Sequence, residues 1–376
     1  MTPPKVLQVV GVLDRWSVES WLLDMLRRIK ERNRPVDWTF YCAFAQPGSK
    51  DDEARALGAK VIHASVPIGE KWKFITSLRA ELKRGNYDVL HSHHDLVSAV
   101  YLGAAVGLPI RRLVHVHNAD ESMLTPNSVK AAIMRPLFRR TCLALADGII
   151  ANSGHSLDTF LAGRPRSLRR HVIHYLGIDA TRFESFDDGK KTRVALNIDP
   201  SAPVLLFAGR MTPEKNPVFV VDVLTAIRRK LPDTVAIFAG EGSLVNDVRA
   251  RVSELGQEDA VRILGWCDNV PEIMAASDFF ILPHPHNPPE GFGVAVVEAQ
   301  LAGLRMLLSE GIKDDPLLPT ATFRRLSLED GAEAWAKAFV DMWPIRPPSR
   351  AAALAAFHRS PMDMDHALDN FLEFYK

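Results

Sequence analysis

Short apolar runs alternate with longer amphipathic stretches along the first half of the chain. Residues 5–10, 37–44, 60–63, 88–91, 112–117, 148–151 and 171–173 read as strands, being brief, apolar and β-branched. Between them, residues 18–31, 72–84, 96–107, 128–145 and 156–162 read as helices; the first sets Trp21, Leu22, Met25, Leu26 and Ile29 on one face. The alternation restarts after a polar, weakly periodic stretch at 178–200. Strands are predicted at 203–208, 234–239, 261–264, 278–282 and 305–309, with helices at 217–231, 244–255, 270–276 and 293–302. Further helices follow near 328–342, 351–358 and 363–375. Strand–helix alternation of this kind implies βαβ units and parallel sheets. The predicted fold is α/β, with two doubly wound domains facing a cleft. The expected divisions are 1–182, 183–355 and a C-terminal helical piece at 356–376 that packs back on the first domain.

Composition narrows the class. With 47% hydrophobic and 24% charged residues among 376, the chain carries enough apolar material for two cores, which excludes disorder as its main state. No apolar run reaches the ~18 residues that a membrane span needs. Residues 1–10 lack the charged start and cleavage site of a signal peptide. Cys42, Cys142 and Cys267 are too few and too far apart for a disulfide framework or a cysteine zinc site, which fits a reducing cytoplasm. The overall net charge of +1 hides an asymmetry, with residues 1–180 at +8 and the remainder at −7. The basic half is therefore the candidate for facing something anionic.

Two loops carry the chemistry. The first is Ala208-Gly209-Arg210-Met211-Thr212-Pro213-Glu214-Lys215-Asn216-Pro217, between a strand and a helix. Arg210 offers a planar fork and Lys215 a point charge at one strand end, a pairing that suits a diphosphate; two solvated loop cations are the plainer alternative. The second runs from Pro283 through Glu290-Gly291-Phe292-Gly293-Val294 to Glu298. Its glycines let backbone N–H groups approach a ligand, and the following helix start offers unpaired donors. Glu290 and Glu298 would accept hydrogen bonds from sugar hydroxyls, or else cap and solvate the helix.

The glutamate–seven–glutamate spacing and the Gly-Arg-x-x-x-Glu-Lys-Asn loop resemble the retaining glycosyltransferases of family four, of the exopolysaccharide and capsule type, which have the GT-B fold. The resemblance runs on through Gly240-Glu241-Gly242-Ser243-Leu244 and from Leu264-Gly265-Trp266 to Val270-Pro271-Glu272. It implies that Arg210 and Lys215 grip the donor diphosphate, that Glu298 takes the ribose hydroxyls and that Glu290 holds the transferred sugar. Backbone donors at Gly291, Phe292, Gly293 and Val294 would assist, Gly209 and Gly242 would line the donor, and Gly265, Trp266 and Cys267 would lie against the base. His117 would meet the donor sugar; a packed core histidine is the alternative, and His115 shares its parity. The family often has a Gly-Gly turn after the first strand, where this chain has Asp14-Arg15-Trp16-Ser17, leaving Ser17 to donate from its hydroxyl.

The implied activity is hexosyl transfer from a nucleotide diphosphate sugar, UDP before GDP, to a glycan or lipid-linked oligosaccharide. No cofactor and no metal are expected beyond the donor co-substrate. The implied place is the cytoplasm, at the inner face of the membrane, where residues 132–140 mix apolar and cationic side chains; a solvated helix face is the alternative. Nucleic acid is not expected, because the basic residues are scattered. A catalytically weak GT-B partner subunit is a second reading, prompted by Trp16-Ser17, and a GT-B phosphorylase or epimerase a third. His91-Ser92-His93-His94-Asp95 invites a metal, but neighbours on a strand point to opposite faces and cannot all ligate one ion. Asp363-Met364-Asp365 reads as a helix cap.

Overall fold

The computed structural model describes residues 3–15, 17–118, 129–184 and 189–376. They form two units, one of Met1–Asp179 with Pro361–Lys376 and one of Ala180–Ser360. The divisions thus fall after Asp179 and Ser360, against the 182 and 355 expected from the pattern.

In the first unit the order is β1 (Lys5–Val10), α1 (Ser17–Glu31), β2 (Asp37–Cys42), α2 (Asp51–Ala56), β3 (Lys60–His63), α3 (Lys71–Gly85), β4 (Val89–Ser92), α4 (Ser98–Ala104), β5 (Arg111–Val116), α5 (Val129–Leu145), β6 (Gly148–Ala151), α6 (Gly154–Leu161) and β7 (His171–Ile173). The second unit continues with α7 (Lys190–Ala195), β8 (Val204–Ala208), α8 (Pro217–Arg228), β9 (Val235–Ala239), α9 (Val245–Glu254), β10 (Val261–Gly265), α10 (Val270–Ala275), β11 (Phe279–Leu282), α11 (Val294–Leu301), β12 (Arg305–Ser309), β13 (Phe323–Leu326), α12 (Gly331–Met342) and α13 (Arg350–Phe357). Helix α14 (Met364–Glu373) returns to the first unit.

The first sheet runs β3-β2-β1-β4-β5-β6-β7 and the second β10-β9-β8-β11-β12-β13. Neighbouring strands pair parallel throughout. These are two Rossmann-like sheets. Strands such as β8 and β9 are buried along their whole length, which is why they read as continuous apolar runs. In each sheet the strand order reverses once, between β1 and β4 and between β8 and β11. Such a reversal opens a crevice at the carboxyl ends of the strands.

Three elements, α2 among them, had no apolar signature. Helix α7 lies in the stretch expected to be a linker, of which Asp187 and Asp188 are outside the described residues. Arg193 holds it, donating to the carbonyls of Pro200, Ala202 and Ala276 and to Asp278 at 2.9 Å. Polar anchoring of this kind leaves no hydrophobic period to read. Strand β13 lies at a sheet edge with Arg324 and Arg325 exposed, and edge strands tolerate charge.

Helix α14 carries its own cap and is tied to the rest of the first unit by charge. The Asp363 carboxylate accepts from Asp365 N–H at 2.9 Å, making Asp363-Met364-Asp365 a helix cap. Asp365 accepts from Arg28 at 2.6 Å and pairs with Arg32. The apolar face brings Phe371 to 5.3 Å from Trp21, ring to ring. No helix among the described residues is long and apolar enough to cross a membrane.

The face of the first sheet beneath α14 is lined with buried imidazoles. Burial holds His91, His93 and His115 well below the ordinary histidine range, and brings His94 and His174 to about 4 and His117 to about 3. Their unfolded counterparts take up protons near pH 6.5, so below that pH the unfolded chain binds more protons and stability falls with acid. Buried Asp95 and Glu19 act in the opposite sense, burial raising them to about 6 and about 7. Six histidines outweigh two carboxyls. The stability of the first unit should therefore fall as pH drops below about 6.5, by at most about 1.4 kcal/mol per pH unit for any one histidine kept neutral. Amide exchange across β4 and β5 measures this, and a flat profile there would contradict the buried neutral cluster.

Candidate active site

The crevice of the second unit collects the loops that follow β10, β9, β8 and β11, four neighbouring strands. These loops are stitched edge to edge by backbone hydrogen bonds. Gly209 N–H donates to Ala239 at 2.9 Å, Met211 to Glu241 at 2.7 Å, Leu244 to Met211 at 2.9 Å and Gly240 to Gly265 at 2.7 Å. This packing requires glycine at Gly242, where φ is +156° and a Cβ would stand 2.3 Å from the Met211 carbonyl oxygen. Gly209 differs: φ is +151°, yet a Cβ would meet nothing within 4 Å, so its backbone borders open space.

Lys215 ends a 3-10 turn at Pro213–Lys215, after β8. Glu290 stands in the loop between β11 and α11, its own N–H donating to the Gly311 carbonyl at 3.0 Å. The two side chains, each 15% exposed, form a direct ion pair across the point where the strand order reverses. His284 Nε2 lies 3.7 Å from Glu290, while its Nδ1–H donates to the Pro285 carbonyl at 3.0 Å. Burial alone would raise the Glu290 carboxyl, but the charges of Lys215 and then His284 outweigh it and hold Glu290 below the ordinary range. Burial likewise lowers His284, against the pull of Glu290.

The remaining residues divide by position. Arg210 is 55% exposed and pairs with Glu214 at 3.2 Å, a contact that is weak and easily exchanged in solvent. Phe292 is buried, Gly293 caps α11 at φ +81°, Val294 opens that helix, and Glu298 lies in its second turn, partly buried. Gly291 is partly buried beside Glu290. Gly265 ends β10; Trp266 is 47% exposed, its indole N–H donating to Asp268 at 3.0 Å, and Cys267 is a partly buried free thiol.

In the first unit the predicted residues lie at the matching carboxyl edge. His117 stands one residue past β5, where the pattern places it inside the strand. Its Nε2 is 3.0 Å from His93 Nδ1, its N–H donates to Asp95 at 2.8 Å, and Asn152 donates to its carbonyl at 2.7 Å. Ser17 opens α1, and Trp16 is outside the described residues. His93 and Asp95 were set aside with the metal reading. Their signal was parity: His91 in β4 and His93 one residue past it, with His115 in β5 and His117 one residue past it, all face one side.

Residues 18–182 match the model of the Glycosyltransferase Family 4 family, and residues 188–313 that of Glycosyl transferases group 1. The putative glycosyltransferase EpsF of Bacillus subtilis (strain 168) is 25% identical over 343 residues, 89% of this chain and 86% of that one. An Escherichia coli UDP-Gal:alpha-D-GlcNAc-diphosphoundecaprenol alpha-1,3-galactosyltransferase is 26% identical over 287 residues, 74% and 72% of the two. In fold, the chain matches Anabaena HepE in complex with UDP-glucose, with a TM-score of 0.79, 18% identity and 99% of each chain covered. It also matches WaaG, a glycosyltransferase involved in lipopolysaccharide biosynthesis, with a TM-score of 0.75, 16% identity and 99% of each chain covered.

The ion pair makes a direct expectation. Lys215→Met leaves Glu290 enclosed without its cation, which should cost roughly 2–3 kcal/mol at neutral pH. In the variant the carboxyl titrates above its ordinary range, so the lost stability should return as pH falls through that raised value. Urea unfolding at two pH values checks both the size and the sign.

Proposed function

We propose, from the match of residues 188–313 to the group 1 glycosyltransferases and of residues 18–182 to Glycosyltransferase Family 4, that the chain is a retaining, metal-independent hexosyltransferase using a UDP-sugar. Its acceptor on this reading is a hydroxyl of a growing glycan or a lipid-linked oligosaccharide. The observation that carries the proposal is the Lys215–Glu290 pair at the strand-order reversal, with Arg210 exposed beside the open backbone of Gly209. The pair presets an ammonium where a diphosphate enters and a carboxylate where sugar hydroxyls follow. The donor names and complexes of the relatives, UDP-Gal and UDP-glucose, support uridine; a GDP-sugar is the competing donor.

In the proposed reaction the bond between the anomeric carbon and the diphosphate oxygen breaks, and the electron pair leaves with the oxygen. The acceptor oxygen bonds to the same face of that carbon, and its proton passes to the released diphosphate. Arg210 and Lys215 offset the charge that develops on the leaving group, the role a divalent ion plays in other transferases. Glu290 and the backbone N–H groups of Gly291, Phe292, Gly293 and Val294 orient the hexose, Glu298 accepts from the ribose, and Trp266 lies against the base. Positioning and charge do the work, so no covalent nucleophile is required.

The first unit offers a surface for a lipid-linked acceptor. Ile133 and Leu137 on α5 are 63% and 52% exposed, one helical turn apart, with Arg140 exposed beside them. An apolar ridge flanked by cations suits the inner face of an anionic membrane.

Arg210→Ala and Lys215→Ala should each lower kcat by about 10²–10³. Near-normal turnover in both would remove their assigned role. In a thermal-shift panel, UDP at 100 times its Kd should add about 2.7 kcal/mol of stability; a larger shift with GDP would transfer the donor assignment to guanosine. In flotation with anionic vesicles, the chain should rise and the Ile133→Glu, Leu137→Glu double variant should stay below; equal behaviour would refute the membrane surface.

A further inference from the structure

Cys42 and His63 end the neighbouring strands β2 and β3 and are direct partners in the parallel register, so both side chains leave the same face of the sheet. Asp51 opens α2, the helix between these strands. The loop that delivers it is clamped on the turn after β1. Lys50 N–H donates to the Leu13 carbonyl at 3.0 Å, and a Cβ at Gly48 would stand 1.9 Å from that oxygen. Three elements of one unit thus bring a thiol, a carboxylate and an imidazole together, each offering a ligand atom within 4.8 Å of the others.

Hydrogen bonding inside the trio accounts for only part of it. His63 Nε2 lies 2.7 Å from Asp51 Oδ2, which satisfies one carboxylate oxygen. The other, Oδ1, is buried and accepts no hydrogen bond from the described residues, in a side chain that is 7% exposed. A buried carboxylate oxygen ordinarily finds a donor, so this one calls for a partner of another kind. The charge around it has the same sense. Asp51 and buried Glu19 both act on the Cys42 thiol, while Arg55, the opposing cation, is half in solvent and 3.8 Å from Asp51. The surroundings favour an added positive charge.

The donor set names the ion. Thiolate and imidazole together select zinc among the common divalent ions, and a carboxylate is a regular third ligand, whereas calcium and magnesium take oxygen alone. A tetrahedral zinc sets such atoms about 3.3–3.6 Å apart, a change of about an ångström that side-chain rotation supplies. The ion takes the place of the proton between His63 and Asp51, and the thiol proton passes to solvent. Strand β3 is the edge of the sheet and the His63 side chain is 30% exposed, which gives the ion a way in and a water the fourth position. Counting cysteines excludes a cysteine zinc site, but a mixed donor set needs only one. The rival trio of His91, His93 and His115 is weaker, because His93 spends both ring nitrogens on Gln8 and His117.

We infer that Cys42, Asp51 and His63 bind one zinc ion, which clasps β2, α2 and β3 together at the edge of the first sheet. The ion stabilises this edge and takes no part in the proposed transfer, whose charge is met by Arg210 and Lys215.

The test uses the full chain, stripped with a chelator and titrated with Zn²⁺ or Co²⁺. One equivalent of zinc should bind at micromolar concentration or below and raise the thermal midpoint. One equivalent of cobalt should give the intense visible bands of a tetrahedral ion and a thiolate-to-metal charge-transfer band in the near ultraviolet. Cys42→Ser should abolish that band. His63→Gln, at a partly exposed position that keeps the chain folded should Cys42→Ser fold poorly, should weaken zinc binding by more than the roughly 10–100-fold that an outer contact is worth. Cys267→Ser, at the partly buried thiol of the second unit, should leave the band in place. Failure to take up zinc, a cobalt spectrum without the thiolate band, a band lost with Cys267 in place of Cys42, or equal zinc affinity in His63→Gln would each overturn the site.

Discussion

Everything chemical in this protein depends on one constraint of parallel sheets. All strands run the same way, so every carboxyl-end loop leaves by one edge, and where the strand order reverses the flanking crossovers go to opposite faces and leave a gap. The reversal lies between β8 and β11 in one unit and between β1 and β4 in the other. Lys215 and Glu290 occupy the first of these positions; Gln8, His91 and His93 gather at the second.

The two positions solve opposite electrostatic problems. In the second unit, charges are partly withdrawn from water and must be paired, so Lys215 depresses Glu290 and keeps its carboxyl ionised. In the first unit, burial is deep and, among the described residues, no carboxylate pairs with a ring of the cluster, so the histidines stay neutral, and His91, His93 and His117 are ordered by hydrogen bonds. A neutral ring offers one donor and one acceptor, and what matters is which nitrogen holds which.

The local sequence read well where a residue's role is set by its neighbours in the chain. The buried strands β8, β9 and β11 are continuous apolar runs, and the spacing of Arg210, Lys215, Glu290 and Glu298 is visible by eye. It read poorly where an element is held by polar contacts from afar. Helix α7 hangs on Arg193, and β13 shows its arginines to solvent, so neither leaves a hydrophobic period. The histidine run at 91–94 was discounted because adjacent strand residues diverge; only pairing with the neighbouring strand brings alternate members, His91 and His93, against His115 and His117.

Sequence alone determined the α/β class, the two-sheet organisation and the charged loop residues, because periodicity and glycine-bounded loops are local properties of the chain. Tertiary structure alone decided that Lys215 meets Glu290, 75 residues away, and that Tyr375 meets Gln8, 367 residues away. No local pattern encodes such meetings. They follow from which strands pair and from where α14 lands, and those are settled by the packing of whole faces against one another.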